Sequence, residues 1–406
     1  MIRTHYIIAK KQNKGEKLMK NFKFLLKIFL LTSTFFVVST PLMSQQRIPH
    51  YVIENEVTKS TGQETTTAIE PNEQTLEEQF VPILEELFQN RNACILASDL
   101  ENLKSHYNLN IKVSLWAYES EAQKIKYFEN WCAKQGIKFD KIESQIKLRK
   151  VKEKEPGLYG ILCFNSTEFT YSYVDTPEVT NTFRLGTSHY MNLKADNDHY
   201  IITKEWYTDP FADSLNLENI KSDEIRKYIL AQKKPDYTAD ERTQRAIDYA
   251  HKYCGVSEDN EFLFKYNKAY KNFNPDGGDC ANFASQILFE GGKFKKNGTW
   301  NYCDRNGTKA WVNAQAFKNY MVGSGRAGYI AKGTYQEIYK AAYNLRPGDF
   351  VAYEKKGKIV HISTVTGLDS KGYPLVTCHN TDRLLVPYDL GWSNKNIRFH
   401  LINVYY

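Results

Sequence analysis

The sequence predicts an α+β protein: a helix carrying a cysteine packed on an antiparallel sheet carrying a histidine, preceded by helices on a curved antiparallel sheet. Three observations carry this. Gly277-Gly278-Asp279-Cys280 releases the chain into a turn, after which Phe283, Ala284, Ile287 and Leu288 recur at near-helical spacing until Gly291-Gly292. Arg346-Pro347-Gly348-Asp349 then makes a turn into the strand Phe350–Tyr353, and Lys355–Lys358 turns it back into Ile359–Val365, which contains His361. Upstream, helical patterns followed by a run of alternating segments argue for helices on a sheet.

In chain order, residues 1–44 read as a leader and secretory signal. Met19-Lys20-Asn21-Phe22-Lys23 is basic, Phe24–Val38 is mostly apolar, and Thr40-Pro41-Leu42-Met43-Ser44 supplies small residues for cleavage after Ser44. An uncleaved anchor is the rival, because the run approaches the ~17 residues a spanning helix needs. The true start, Met1 or Met19, stays open. Residues 45–75 are polar and aperiodic, which predicts a disordered tether. Residues 76–213 form the first unit. Phe80, Ile83, Leu84 and Leu87 recur helically, Ala122–Gly136 gives a second helix, and strands follow at Ile142–Lys152, Tyr159–Phe164, Phe169–Tyr173, Asn181–Ser188 and Tyr200–Trp206. Residues 214–239 read as a helical linker and 240–406 as the second unit, opening on a helix through Ala246, Ala250 and Tyr253.

The chemistry concentrates in the second unit. Asp279 as an N-cap places Cys280 in the first helical turn, where unpaired amides and the helix dipole favour a thiolate. His361, 81 residues later, is the candidate base, and only the fold can join them. A third group should fix the imidazole tautomer. His379 is favoured, with Asn380 and Asp382 as alternatives, and pleat alternation sends His379 and Asn380 to opposite faces. A zinc site built from His361, Cys378, His379 and Asp382 lacks a recognised ligand spacing, so no metal and no cofactor is expected.

On Tyr266-Asn267, Asn272-Phe273, Gly277 through Gln286, Trp300, Trp311-Val312-Asn313-Ala314, Phe317, Tyr320, Pro347-Gly348-Asp349, His361-Ile362 and His379 through Arg383, the sequence resembles the "putative amidase domain" family of Gram-positive bacteria. That family is similar to papain-like Cys-His hydrolases, alongside NlpC-type and CHAP peptidoglycan hydrolases. The resemblance spans about residues 240–406. It implies Cys280 as nucleophile, His361 as base and the His379 position as the orienting residue. Asn274, six residues before the cysteine, and the Cys280 backbone amide are the implied oxyanion donors. It also implies cell-wall peptide or peptidoglycan as substrate and a secreted or envelope location. The first unit resembles, at fold level, nuclear-transport-factor-like domains, and a binding or positioning role is expected of it.

The 54 Lys+Arg against 47 Asp+Glu leave +7 at pI ≈ 8.7, without a concentrated basic stripe, so nucleic acid is not an expected partner. Membrane contact is expected only if the apolar segment stays uncleaved. Seven cysteines leave six besides Cys280. Disulfides are open in an exported chain, with Cys254 and Cys303 the first pair to check. The leading expectation is an exported cysteine amidase or peptidase. Alternatives are a non-catalytic wall-binding or assembly protein that keeps the fold, and an acyl transferase in which an amine replaces water.

Overall fold

The computed structural model describes residues 75–211, 223–392 and 396–406. The expected leader, signal and tether lie outside these residues, as does the amino-terminal part of the linker helix. Among the described residues, no helix is long and apolar enough to cross a membrane.

The first unit opens with α1 (Leu76–Ala97), α2 (Leu100–Ser105) and α3 (Lys112–Gln135). Thr75 and Glu78 form a capping box that satisfies the first amides of α1. Four long strands follow: β1 (Ile137–Glu155), β2 (Leu158–Tyr173), β3 (Thr176–Asp196) and β4 (His199–Tyr207), all antiparallel. The two segments expected at 159–164 and 169–173 are one continuous strand. α1 and α3 bury Phe80, Leu84, Phe88, Ile125 and Phe128 against this sheet. Between them lies a cavity of about 60 Å³, bordered by Arg91, Glu121, Asn165 and His189. Buried Arg91 there bridges Glu121 and Glu205, each at 2.8 Å.

After α4 (Asp223–Leu230), α5 (Glu241–Tyr253) starts where Asp240 accepts a hydrogen bond from the Thr243 amide. α6 (Cys280–Gln286) runs into a π-turn at Ile287–Gly291. The hairpin β5–β6 (Tyr302–Cys303, Asn306–Gly307) and the helices α7 (Lys309–Val312) and α8 (Ala314–Gly323) follow. The remaining elements are β7 (Ala327–Gly333), α9 (Tyr335–Ile338), β8 (Phe350–Lys355), β9 (Lys358–Leu368), β10 (Pro374–Cys378), β11 (Arg383–Pro387) and β12 (Ile397–Val404).

The protein is mixed α+β, built on one ten-stranded sheet. Its order is β1-β2-β3-β11-β10-β9-β8-β12-β7, with β4 also on β3. One edge of β3 serves two partners: Arg184 and Leu185 pair with β11, whereas His189 to Asp196 pair with β4. The two units expected from the sequence therefore share a sheet. Its faces differ. On one, Val351, Tyr353, Val365, Val376, Phe399 and Leu401 pack with Trp131 and Phe211 from the first unit. On the other, Phe350, Ala352, Ile362 and Ile402 pack with Cys280, Trp311 and Phe317. That division decides the geometry of the site.

Candidate active site

The turn before α6 needs glycine. Gly277 and Gly278 have φ of 114° and 138°, and a Cβ on Gly278 would lie 2.4 Å from Asn380 Nδ2. Asp279 occupies the N-cap position, yet its carboxylate caps nothing. Instead Oδ1 accepts from the Phe273 amide and from Asn282 Nδ2, each at 2.8 Å, and Oδ2 meets His379 Nδ1 at 2.6 Å. Asn282 is held in turn by the indole of Trp311, at 2.9 Å. The cysteine loop is thus tied into a buried polar network, where the sequence suggested a simple helix cap.

Cys280 is in the first turn of α6, as expected, but 6% exposed. Burial pushes its thiol up to about 12, against the opposing pull of the Ile362 and Ala281 amides. Desolvation thus works against the lowering expected from the helix start and is the larger of the two effects. Cys280 faces Ile362, Ala352 and Phe350.

His361 faces the other way. Its ring stacks on Trp392 at 5.2 Å and lies 5.5 Å from Tyr353, and Nε2 meets Cys378 Sγ at 3.2 Å. The expected contact with Cys280 is not made. The cause is a bulge: Lys355 pairs with Lys358 and Glu354 with Ile359, but Tyr353 pairs with His361, so Val360 is the extra residue. His361 therefore keeps the face of Ser363 and Val365 but loses that of Ile359, which packs on the Cys280 side. Burial, aided by Arg383, pulls the imidazole down to about 3, and burial pushes the Cys378 thiol up to about 11.

That depressed value has a measurable consequence. Above pH 6.5 the neutral imidazole costs the native state nothing. Between 6.5 and about 3, unfolded chains take up a proton that native His361 refuses, so stability falls with pH. Wild type is expected to lose roughly 4–5 kcal/mol more than His361→Gln over that interval. Urea midpoints of the two proteins at pH 7 and pH 3.5 check this. Parallel curves would contradict it.

His379 lies just beyond β10, clamped between Tyr266 (3.8 Å, 12°) and Phe283 (3.7 Å, 6°). Nδ1 reaches Asp279, and Nε2 lies 2.8 Å from the Tyr253 carbonyl. Both nitrogens thus face acceptors, which requires the imidazolium. Burial alone would lower its pKa, but the bond to Asp279 and its charge raise it above the ordinary value. His379 does not orient His361; it is on the Cys280 side of the sheet and fixes Asp279.

Asn380 leaves the pleat at φ 69° and accepts the Asp279 amide through Oδ1 at 2.6 Å. His379 and Asn380 consequently serve the same residue, although alternation predicted opposite faces. Asp382 accepts from Tyr266 Oη at 2.5 Å, and burial raises its carboxyl to about 6. Asn274 Nδ2 donates to Tyr266 Oη at 3.1 Å, so this expected oxyanion donor is engaged elsewhere. All seven cysteines are free. Cys254 is buried and Cys303 exposed, so the suggested disulfide is absent. Among the described residues no group of three or more His, Cys, Asp or Glu is placed to hold a metal. Cys378, weighed above only as a zinc ligand or disulfide partner, and Arg383, read only as part of the His379–Arg383 stretch, both act on His361, a role sequence reasoning missed. Their signal was the place of both on adjacent strands, which shows only once register is known.

Residues 240–402 match a family model described as "Putative amidase domain". Over 160 residues the chain is 34% identical to an uncharacterized protein, YjcM, of Bacillus subtilis (strain 168), covering 37% of this chain and 33% of that one. The chain thus spans about a third of the length of that relative. Among solved structures, the intermembrane space region of the chloroplast protein ARC6 aligns at 12% identity and a TM-score of 0.22, over 32% of this chain and 92% of that one. An NTF-2 like protein of unknown function from Shewanella oneidensis aligns at 13% and 0.21, over 32% and 98%. The part of the chain that bears Cys280, His361 and His379 is therefore similar to an amidase domain.

Proposed function

We propose that the chain is an amide-bond hydrolase with Cys280 as nucleophile. The observation that carries this is the position of Cys280 at the start of a helix inside the segment matched to an amidase family. The Cys280 thiolate attacks the carbonyl, and its own backbone amide is the nearest oxyanion donor. The amine leaves with the proton that the base took from the Cys280 thiol, and water then releases the acyl group from sulfur.

His361 is the proposed base, and it requires a different pairing of β9. Continuing the pairing of Lys355 with Lys358 and Glu354 with Ile359 would oppose His361 to Ala352, on the face of Cys280. The active state is therefore one in which the bulge moves past His361. A second reading is favoured by one distance: His361 Nε2 already lies 3.2 Å from Cys378 Sγ, so Cys378 would be the thiol that His361 serves. The substrate class we propose is cell-wall peptide, with the protein exported. The resemblance of Gly277 to Gln286 and the basic-then-apolar stretch of residues 19–38 support that part.

Digestion of purified peptidoglycan under reducing conditions, with new termini identified by mass spectrometry, tests the reading. Cys280→Ser is expected to lower product formation at least 10³-fold and Cys378→Ser less than tenfold. The opposite ranking would transfer the nucleophile to Cys378. No new termini with wild type would leave the non-catalytic wall-binding protein. Products trapped by added amines would indicate acyl transfer.

A further inference from the structure

Behind the His361 imidazole, on the face of the sheet away from Cys280, a set of buried donors has no acceptor. Arg383 is 1% exposed. Its Nη1 donates to the Leu390 carbonyl at 2.7 Å and its Nη2 to the Pro210 carbonyl at 3.2 Å, while Nε has no partner. Among the described residues no carboxylate forms an ion pair with it, although buried charges in folded proteins are ordinarily paired. Trp392 Nε1 is also buried without a partner, whereas Ser363 Oγ is within hydrogen-bonding reach of Tyr353 and Cys378.

These groups share one place. Arg383 pairs in register with Cys378, so both project from the same face. Ser363 and His361 are alternate residues of β9, and Tyr353 is paired with His361. Trp392 stacks on both Tyr353, at 4.6 Å, and His361. The surrounding sheet face is apolar: Val351, Val365 and Val376. Two orphaned donors, one of them on an uncompensated guanidinium, are costly in an apolar wall unless something supplies acceptors.

We propose that this constellation is a binding site for a small monocarboxylate. The orphaned groups include an Nε–H and an indole N–H that can only donate, so the ligand must accept. One guanidinium matches one negative charge. The neighbouring Asp389 carboxylate is already matched by Lys134, so a dianion would leave charge over. Trp392 and Tyr353 give the apolar remainder of the ligand an aromatic wall. The assignment does not rest on the hydrolase reading, because it concerns the opposite face of the sheet.

Calorimetric titration of the full chain with sodium propionate, against sodium chloride at matched ionic strength and pH 7, tests it. Saturable binding of propionate is expected, with sodium phosphate no better than chloride. Trp392→Phe removes one donor while keeping an aromatic ring, and is expected to weaken propionate about fivefold to tenfold. The proposal is overturned if propionate behaves like chloride, if phosphate binds more tightly than propionate, or if Trp392→Phe binds like wild type. Weaker binding in Trp392→Phe with an unchanged unfolding midpoint would support it.

Discussion

Lys134→Met is expected to destabilise the protein by about 3–5 kcal/mol, the usual cost of stranding one member of a buried ion pair. Lys134 near the end of α3 reaches Asp389 beyond β11, and both side chains are 0% exposed. Asp389 also accepts from Trp131 Nε1 at 3.1 Å and from Tyr373 Oη at 2.7 Å. Burial lowers the lysine pKa, and the carboxylate opposes that shift. Removing the ammonium leaves the Asp389 charge in a site built of Trp131, Tyr335, Tyr373 and Tyr388. The double variant Lys134→Met, Asp389→Leu should recover a large part of the loss, since the desolvation cost of both charges disappears together. Guanidinium unfolding of the two singles and the double would measure the coupling. A single-variant loss below 1 kcal/mol would show that this pair does not hold the first unit to the second.

Asp279→Asn has the second large effect expected, and it depends on pH. His379 is an imidazolium held by Asp279, with its pKa raised above 6.5 in the native state. A raised histidine value stabilises the fold fully below the unfolded pKa, and the contribution is lost as pH rises through the folded value. Asp279→Asn should therefore cost about 3–5 kcal/mol at pH 6 and clearly less at pH 9. Stability measured at both values checks the sign. An equal loss at both would mean that the histidine is neutral and that Asp279 acts only through Phe273 and Asn282. Because Asp279 immediately precedes Cys280, the same variant is expected to loosen the cysteine loop, read as faster alkylation of Cys280 by iodoacetamide.

Much of this protein was legible locally. Asp240 before α5, the helical spacing after Cys280, and the hairpin from Arg346 to Val365 follow from short-range rules: capping, periodicity and turn chemistry. The α+β class follows from the same signals, and residues 240–402 carry the amidase-like pattern. Asp279 takes the cap position that the local pattern predicts, but its side chain caps nothing. Its partner, His379, lies 100 residues away and no local rule supplies it.

What the chain alone determined is the set of elements and the identity of the polar residues in them, because both arise from neighbours within a few positions. What tertiary structure decided is which of those residues meet. Lys134 and Asp389 are 255 positions apart, and Arg184 finds Leu384 only when β3 joins β11. The face of His361 turns on the single extra residue Val360. Strand side chains alternate with period two, so one inserted residue turns His361 away from the face of Ile359 and toward Cys378. Pairing register is a property of two strands together, and it becomes definite only when the sheet has formed.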